Sequence, residues 1–596
     1  MVKNSQKQKR QGNLTISKAE YTDRAMNVFL QMLSLAPEEY QEELMALMMD
    51  ESRTTEPEIV RERFTALLAN LDIESKRTEI VALLLELIPV QQLVPPVYEK
   101  YCQMVMDAAE VILKLLSGER LRIKLVEQMM LPLDASLQER LLTLITRMPT
   151  LQKIGQIIAR NRNLDPEFRK RLQKLENSIK DATYEAIFEC VHRELKSQIS
   201  KYKIKLGNRF LAEASVCAVV PFTWRSDSGE KKRGVFKVLK PFIAKYWTEE
   251  LKILDALAIH FDRNKHRYGL PTMGFRDVLR EVRELFKREV KLPIEQNRLE
   301  EARNFYLSEA NVRVPELLPM RTKVVTGMEF VDGMKVTSAA AKYPEQAKRI
   351  AELIIDKMIF SVIFYSGQEA LFHADPHAGN VFYSEKNDEL AILDWGLSCT
   401  MSREDRGEIV QLMLGFILKD KERAFRATYK LSSEKNIKGV EEVIRKRVDE
   451  VIDGLPTFPL VRLEPLTRLL DNLILDGVRF PAELLMFRKS LFTLLGVLHD
   501  VNQGFNVDWH LTRTLLGQIV SEIPTRLLRS PWSTDYPSQL STWELRRVLT
   551  GLSAIAAKLG VKNSQLLVEL GLEKAAGFVG KLSAGFKQTD TVENEA

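Results

Sequence analysis

The residues best suited to chemistry lie between Leu371 and Ser398, in the stretch LFHADPHAGNVFYSEKNDELAILDWGLS. Asp375 and Asn380 stand in HADPHAGN, and Asp394 follows a second apolar run in DWG. The apolar segments VFY and LAIL are separated by the polar turn SEKND, which predicts a β-hairpin between the two polar sites. The order H-x-D-x-x-x-x-N, hairpin, D-x-G is the layout of a kinase catalytic centre.

Phosphoryl transfer requires an acceptor held in line and phosphate charge neutralised by metal. Asp375 suits the group that accepts or orients the acceptor's proton, while Asn380 and Asp394 offer the hard oxygen ligands that Mg²⁺ prefers. The alternative is a polar loop whose aspartates cap turns and helices, but the whole constellation in this order favours phosphoryl transfer. His373 and His377 lack a third ligand spaced for zinc, so we expect His373 to hold the loop backbone and His377 to make a local polar contact.

Such a centre also predicts a lysine on an upstream strand, paired with a glutamate on a helix. VFKVLK offers Lys237 and Lys240 on opposite faces of a strand, and alternation alone does not decide between them. Position relative to the start of the strand favours Lys237. The segment REVKLPIEQNRLEEARNF offers Glu289 and Glu295, and Glu295 is the predicted partner of Lys237. No glycine-rich loop precedes the hairpin, so neither a P-loop nor an ordinary kinase glycine loop is supported.

The elements that must position these residues form a small mixed region inside a helical protein. ASVCAVVPFTW and VFKVLKP read as strand, turn, strand, and VRVPELL and KVVTGMEFV as two more short strands. Residues 17–150, 241–308 and 343–370, and the chain after residue 400, show helical periodicity. The predicted fold class is α+β: a two-lobed, kinase-like core with large N- and C-terminal α-helical extensions.

Composition excludes several other classes. The chain has 596 residues, 45% hydrophobic and 28% charged, as in ordinary globular proteins, and its net charge of +6 does not indicate nucleic-acid binding. Its four cysteines, Cys102, Cys190, Cys217 and Cys399, show no CxxC spacing, which argues against a zinc site or a disulfide framework and favours a reducing compartment.

Targeting signals and membrane spans are also not evident. The basic N-terminus MVKNSQKQKRQGN lacks the apolar core of a secretory signal and is expected to be a disordered tail. The most apolar run, VALLLELIPVQQLVPPVY, is broken by Glu86 and three prolines. We expect a cytoplasmic protein. Basic C-terminal segments such as ELRRVLTGLSAIAAKLG are expected to pack onto the kinase-like core, and peripheral contact at the inner membrane face is the alternative.

Several separate motifs together resemble those of the UbiB/AarF family of atypical kinase-like proteins. HADPHAGN resembles the family's catalytic loop HADPHPGN, and LAEAS at 211–215 resembles the alanine-rich loop that replaces the glycine loop. VFKVLKP resembles the lysine-bearing strand, MEFVDG at 328–333 the hinge segment, and LQKIGQ at 151–156 the K-x-G-Q signature. The resemblance covers roughly residues 150–400.

The resemblance implies roles for the site residues. Lys237 would contact the nucleotide phosphates and pair with Glu295. Asp375 would be the catalytic-loop aspartate, and Asn380 and Asp394 the metal ligands. Further nucleotide-site positions implied by the resemblance are Ala212, Ala214 and Ser215 of the alanine-rich loop, Glu329 of the hinge, and Lys153 and Gln156 on one face of the K-x-G-Q helix.

The sequence departs from the family pattern at four places. Lys291 stands where the family's E-x-D motif has its aspartate, and Glu213 would repel phosphate if it pointed inward. Pro293 interrupts the glutamate-bearing helix or begins a new one. Trp395 replaces the usual phenylalanine. These departures bear on turnover more than on fold.

The function implied by the resemblance is that of an ATP-binding, Mg²⁺-dependent kinase or ATPase. It would support isoprenoid quinone (ubiquinone) biosynthesis or lipid homeostasis, with a lipid or quinone precursor as substrate. One alternative is a nucleotide-sensing scaffold with little turnover, favoured by Lys291 and Glu213. Another is a phosphotransferase of the aminoglycoside or choline-kinase type, opposed by LQKIGQ and LAEAS. The helical extensions would contact protein partners or a membrane surface, and no nucleic acid is expected.

The predicted domain organisation has six segments. They are a basic tail (1–16), an N-terminal helical region (17–148), a K-x-G-Q extension (149–206), a kinase-like N-lobe with a helical insertion (207–333), a C-lobe with the catalytic loop and DWG (334–435), and a C-terminal helical region (436–596).

Overall fold

The chain forms two compact units. A computed structural model describes residues 18–49, 57–69, 71–94, 96–152, 154, 182–214, 216–270, 274–433, 439–455 and 463–558. The first unit comprises Met1–Leu292 with Pro319–Gly327, and the second comprises Pro293–Leu318 with Met328–Ala596. The six predicted segment boundaries are finer than this division and stay a prediction.

Twelve short strands account for the β-structure of the described residues. They are β1 (Lys205–Leu206), β2 (Ala212–Glu213), β3 (Cys217–Arg225), β4 (Lys231–Leu239), β5 (Val312–Arg313), β6 (Leu317–Arg321), β7 (Val325–Glu329), β8 (Met334–Lys335), β9 (Glu369–His373), β10 (Val381–Ser384), β11 (Glu389–Ile392) and β12 (Ser398–Ser402).

The first unit opens with a helical array whose apolar stripes form one core. Helix starts are set by local capping: Asp72 accepts hydrogen bonds from the backbone N–H groups of the following helix, and Ser136 and Glu139 form a capping box. Phe29 and Phe64 are fully buried in this core, as expected for a packing stripe. The described helices before the first strand are Lys18–Ser34, Glu38–Met49, Pro57–Leu67, Ile73–Leu87, Cys102–Leu115, Gly118–Met129, Leu137–Ile145, Tyr184–Glu194 and Lys196–Lys201.

A six-stranded sheet follows, with strand order β1-β3-β4-β7-β6 and β2 also paired to β3. The β3–β4 hairpin is antiparallel, with Val219 opposite Lys237, and its turn contains Gly229 at φ +82°. Strand alternation buries Phe236 and Val238 completely on one face of β4. The strand, turn, strand prediction for this part of the chain is therefore confirmed.

Helices Pro241–Asn264, Phe275–Val290 and Leu292–Tyr306 follow the hairpin, which confirms the helical prediction for residues 241–308. Pro293 is the second residue of the last of these helices. It therefore begins a new helix and does not interrupt an old one, since a first-turn proline sacrifices no intrahelical hydrogen bond.

The second unit holds two small sheets and the remaining helices. One sheet has the order β5-β11-β10-β8, and the other pairs β9 with β12. Their apolar faces and the surrounding helices share one core. The helices are Val336–Lys342, Ala347–Ile355, Ser361–Ile363, Arg403–Leu418, Lys421–Leu431, Val440–Asp453, Leu463–Leu475, Ala482–Val501, Val507–Ser521, Ile523–Arg526 and Thr542–Lys558, with a π-helical turn at Asp356–Phe360.

Two details correct the sequence predictions. The helix predicted over 343–370 ends at Ile363, because Glu369–His373 is drawn into a ladder with β12. The connector predicted at DGMKVTS contains the short strand β8, which pairs with β10. The α+β class itself is confirmed. Within the described parts of the chain, none of the helices combines the length and apolarity needed to cross a bilayer.

Candidate active site

The catalytic-loop motif and the DWG motif meet at the base of the β10–β11 hairpin. In its register Val381 lies opposite Ile392, so the residues just outside this pair are neighbours. The backbone N–H of Leu393 donates to the carbonyl oxygen of Asn380 at 2.8 Å. Asp394 is the next residue along the chain. The hairpin predicted from VFY, SEKND and LAIL therefore brings the Asn380 and Asp394 backbones together.

Asn380 also connects the two ends of its own loop. Its side-chain Nδ2 donates to the backbone oxygen of Asp375 at 3.2 Å. This bond orients the amide, so that Oδ1 is the end available as an oxygen ligand. The three residues predicted to act together, Asp375, Asn380 and Asp394, thus belong to one hydrogen-bonded loop–hairpin assembly.

His373 holds this assembly together by hydrogen bonds from its ring to two backbone positions. Its ring is buried; Nδ1 accepts the backbone N–H of Asp375 at 3.1 Å, and the other ring nitrogen lies 3.0 Å from the carbonyl oxygen of Leu393. Nδ1 must be unprotonated to accept, so Nε2 carries the proton and donates to Leu393. Burial lowers the pKa of His373 below its ordinary value of 6.5, which keeps the ring neutral. The prediction that His373 holds the loop backbone is confirmed.

His377 makes a short-range polar contact. Its Nδ1 accepts the backbone N–H of Gly379 at 3.0 Å, as the sequence predicted. Within the described ranges no cluster of three or more histidine, cysteine, aspartate or glutamate side chains is placed to hold a metal ion.

Asp394 adopts a backbone conformation that few residues favour. Its φ is +56°, in the left-handed region, where aspartate and asparagine are the best tolerated residues after glycine. The neighbouring Trp395 is fully buried, and its Nε1 donates to the carbonyl oxygen of Ile392 at 3.1 Å. Its ring also lies 5.0 Å from that of His373. The tryptophan that replaces the family's phenylalanine therefore anchors the strained aspartate.

Glu295 lies beside the DWG motif. It is buried in the first turn of the Leu292–Tyr306 helix. A Cβ atom added to Gly396 would lie 3.7 Å from Oε2 of Glu295 and 3.4 Å from Oδ1 of Asp394. The two carboxylates therefore both lie next to Gly396. Lys237 belongs to the first unit, and its predicted pairing with Glu295 stays a prediction.

The first unit distinguishes the two candidate lysines. Lys240 is fully buried, and its Nζ lies 2.9 Å from Oε1 of Glu213. Glu213 also accepts the backbone N–H of Ala182 at 3.0 Å. Lys237 lies within β4 and is half-buried, whereas Lys240 follows the last residue of that strand. Lys240 therefore serves a buried ion pair, and the same pair neutralises the Glu213 carboxylate that would otherwise repel phosphate.

Of the other residues predicted for the nucleotide site, two are exposed and three lie outside the described residues. Ala212 and Ala214 are exposed, and the Ala214 N–H donates to the carbonyl oxygen of Cys217, which shapes the alanine-rich loop. Lys153, Gln156 and Ser215 lie outside the described residues. Their roles stay predictions.

Glu329 supports the end of β7. Its carboxylate pairs with Arg313, with Nε of the arginine 3.4 Å from Oε2, and accepts the backbone N–H of Glu316 at 3.3 Å. These contacts orient the hinge segment. A direct contact of Glu329 with nucleotide stays a prediction.

Sequence reasoning missed a contribution from the C-terminal region. The Ala482–Val501 helix packs on β9 and on the catalytic loop that follows it. Phe487 contacts Phe372 of β9 edge-on, with ring centroids 5.3 Å apart. Ser490 Oγ donates to the backbone oxygen of His373 at 2.8 Å. Lys489 Nζ lies 3.4 Å from Oδ1 of Asp375. The segment FRKSLF has no motif that signals this, because the contact exists only in the folded chain.

The donor set at the hairpin base fits Mg²⁺. Asn380 and Asp394 supply one amide oxygen and one carboxylate, both hard ligands. Mg²⁺ commonly takes one or two protein ligands and completes its shell with phosphate oxygens and water.

Comparisons with known proteins identify a family model and several relatives to which this chain is similar. The family model described as the ABC1 atypical kinase-like domain matches residues 174–428. An uncharacterised Synechocystis protein is 25% identical over 366 residues, which is 60% of this chain and 60% of the relative. A probable protein kinase UbiB of Xanthomonas oryzae is 24% identical over 463 residues, covering 72% of this chain and 79% of the relative.

Two further matches are a second UbiB-named relative and one solved structure. The probable protein kinase UbiB of Shewanella woodyi is 24% identical over 63% of this chain and 68% of its own. A solved complex of a Mycobacterium tuberculosis protein with erythromycin covers 65% of this chain and 95% of its own, at 16% identity and a TM-score of 0.39. The family-model match over residues 174–428 and the UbiB relatives support assignment of this chain to the UbiB/AarF family of atypical kinase-like proteins.

Proposed function

We propose that this protein binds Mg-ATP and carries out phosphoryl chemistry as an atypical kinase or ATPase. The observation that carries the proposal is that Asn380, at the base of the hairpin, is hydrogen-bonded both to Asp375 and to Leu393, the residue before Asp394. A general base and two oxygen ligands for Mg²⁺ are the protein groups that phosphoryl transfer requires at this point.

Each residue then has a distinct task. Asp375 orients the acceptor hydroxyl or water and takes its proton, and the His373 bond to its backbone holds it in place. Asn380 Oδ1 and the Asp394 carboxylate would hold Mg²⁺, which when bound neutralises phosphate charge. Lys237 would contact the phosphates. The left-handed backbone at Asp394, anchored by Trp395, keeps the carboxylate preorganised.

The substrate class and pathway rest on family resemblance. We propose a lipid or quinone precursor as acceptor, in support of isoprenoid quinone biosynthesis or lipid homeostasis. The relatives' name, probable protein kinase UbiB, supports the kinase class.

A scaffold that binds nucleotide without turnover is the second candidate. Of the two departures that favour it, Glu213 is neutralised by Lys240, which removes its expected repulsion of phosphate. Lys291 still favours it, because this exposed residue stands between the last two helices of the insertion, where the family has an aspartate. Turnover therefore has to be measured apart from binding.

The decisive experiment compares two aspartate variants by thermal shift with Mg-ATP. Asp394→Asn keeps a residue that tolerates a positive φ but removes the metal-binding charge. Asp388→Asn is the matched control, because Asp388 also has a positive φ and flanks the same strand, where it pairs with Arg349. At roughly 100 times Kd, binding should stabilise the wild type by about 2.7 kcal/mol.

We expect the nucleotide response to vanish in Asp394→Asn and to persist in Asp388→Asn. Release of ADP, measured alongside and compared with Asp375→Asn, separates the enzyme from the scaffold. A wild type that shows no response to Mg-ATP over a wide concentration range would refute the proposal.

A further inference from the structure

The Ala482–Val501 helix brings a cation to the catalytic aspartate. Lys489 Nζ lies 3.4 Å from Oδ1 of Asp375, and both residues belong to the second unit. Asp375 is 19% exposed and Lys489 is 40% exposed. An ammonium has three donors, so a lysine that retains this exposure can hold Asp375 and still donate to a ligand in the open site.

The position of this helix is fixed by neighbouring contacts. The hydroxyl of Ser490, the next residue, is buried and donates to the His373 backbone oxygen. Phe487, two residues before Lys489, packs on Phe372 of β9. The contacts of Phe487 and Ser490, which flank Lys489 in the sequence, therefore fix this part of the helix. The distance between Lys489 and Asp375 is set by packing as well as by charge.

Distances place the ammonium beside the reacting atoms. An acceptor oxygen bound by Asp375 would lie about 2.6–3.2 Å from the carboxylate. The phosphorus in a near-attack arrangement would lie about 3–3.5 Å from that oxygen. A lysine ammonium 3.4 Å from the same carboxylate, on a flexible four-carbon chain, can reach the phosphoryl oxygens without moving the helix.

We propose that Lys489 is a catalytic residue of this site, whose ammonium contacts the oxygens of the transferred phosphoryl group while orienting Asp375; the inference rests on the proposed function. As the acceptor oxygen bonds to phosphorus, the bond from phosphorus to the ADP oxygen breaks. The acceptor's proton passes to the Asp375 carboxylate. Lys489 exchanges no proton and stabilises the charge on the phosphoryl oxygens.

The test compares Lys489→Gln, Lys489→Arg and Arg488→Gln in the chain of 596 residues. Arg488 is the matched control, since it lies on the same helix and pairs with Asp471 instead of the loop. ADP release, the KM for Mg-ATP and the unfolding temperature are measured for each variant. We expect Lys489→Gln to lower kcat about 100-fold, with KM and unfolding temperature close to wild type. Lys489→Arg should recover most of kcat, and Arg488→Gln should keep it.

The inference is overturned if Lys489→Gln turns over ATP within about threefold of wild type, or if Arg488→Gln loses as much. A fall in unfolding temperature that accounts for the lost activity would also overturn it, since it would assign Lys489 a structural role.

Failure of the proposed function has a different signature. If wild type binds Mg-ATP without turnover, the enzymatic part of that function fails. The proposal that Lys489 is catalytic then falls with it, because its contact is expected in the transition state of turnover. If wild type binds neither nucleotide, both proposals fall.

Discussion

A single neutral imidazole joins the two motifs of the site. His373 accepts the Asp375 N–H through one ring nitrogen and donates to the Leu393 carbonyl oxygen through the other. Protonation would add a proton to Nδ1 and break the first bond, so the loop geometry depends on the ring staying neutral. The burial that lowers the His373 pKa is therefore part of how the catalytic loop is held.

This dependence predicts an acid sensitivity. Above pH 6.5 the ring is neutral in folded and unfolded chains alike. As the pH falls below 6.5, the unfolded chain gains a proton that the folded chain resists, because the folded-state pKa is depressed. Stability is thus lost as the pH falls from about 6.5 towards the folded-state pKa, below which both chains carry the proton. We expect the unfolding temperature of wild type to fall between pH 7.5 and 5.5 by more than that of His373→Asn.

An exposed histidine provides the control for this measurement. His266→Asn should leave the acid-induced fall of wild type unchanged, since His266 lies on the surface. If His373→Asn and wild type lose equal stability over this pH range, His373 does not contribute to the acid sensitivity.

At the residue scale the sequence predicted what local spacing dictates. Asp375, Asn380 and Asp394 were predictable as a group because a hairpin brings the residues at its base together whatever surrounds it. The contact of Lys489 with Asp375 was not, because it joins distant segments; the adjacent bond from Ser490 to His373 spans 117 residues. The pairing of Lys240 with Glu213 was also not predicted. It shows that Lys240, one of the two candidate lysines, is engaged in a buried ion pair.

At the scale of elements, β7 packs so closely against its neighbouring strands that its Gly327 position has no room for a side chain. A Cβ atom added to Gly327 would lie 2.4 Å from the backbone oxygen of Met320 on β6 and 3.1 Å from the ring of Phe236 on β4. A backbone oxygen in a ladder cannot move aside easily. The sheet therefore needs a residue without a side chain at this position.

Gly327→Ala should destabilise the first unit by about 1–3 kcal/mol through overpacking. Gly517→Ala is a useful comparison, because nothing lies within 4 Å of its added Cβ and it sits inside the Val507–Ser521 helix. That change should stabilise by about 0.5–1 kcal/mol. Thermal unfolding of both variants tests the pair, and an unfolding temperature for Gly327→Ala at or above that of wild type contradicts the packing argument.

Element types were predictable where periodicity was strong, as in the β3–β4 hairpin and the helices that follow it. The helix predicted over 343–370 extends beyond the observed end at Ile363, which shows the limit of prediction from periodicity. The run after Ile363 becomes the strand β9 because β12, nearly thirty positions later, offers it a ladder. Pairing between separate segments overrides local propensity there.

At the scale of whole units, a buried charge cluster ties distant parts of the first unit together. Arg120 contacts Glu250 at 2.5 Å and Glu249 at 3.0 Å, both on the Pro241–Asn264 helix. Glu250 also accepts the backbone N–H of Thr150 at 3.0 Å. The cluster thereby joins the helical array to the helix that follows the sheet.

Arg120→Ala should lower the stability of the first unit by about 3–5 kcal/mol, because it leaves Glu250 buried without its arginine partner. Arg63→Ala, which breaks an exposed pair with Glu43, should change stability by less than about 1 kcal/mol. Thermal unfolding of the two variants measures the difference. Equal effects would mean that the buried cluster contributes no more than a surface pair.

The packing of the Ala482–Val501 helix on the catalytic loop also has a consequence for protein synthesis. The loop leaves the ribosome before this helix is translated, and the bonded pair Ser490 and His373 is separated by 117 residues. At 5–20 residues per second, translation of that interval takes on the order of ten seconds. During this time the nascent chain holds Asp375 without Lys489, so a transcript that stops short of this helix yields a chain whose catalytic loop is never completed.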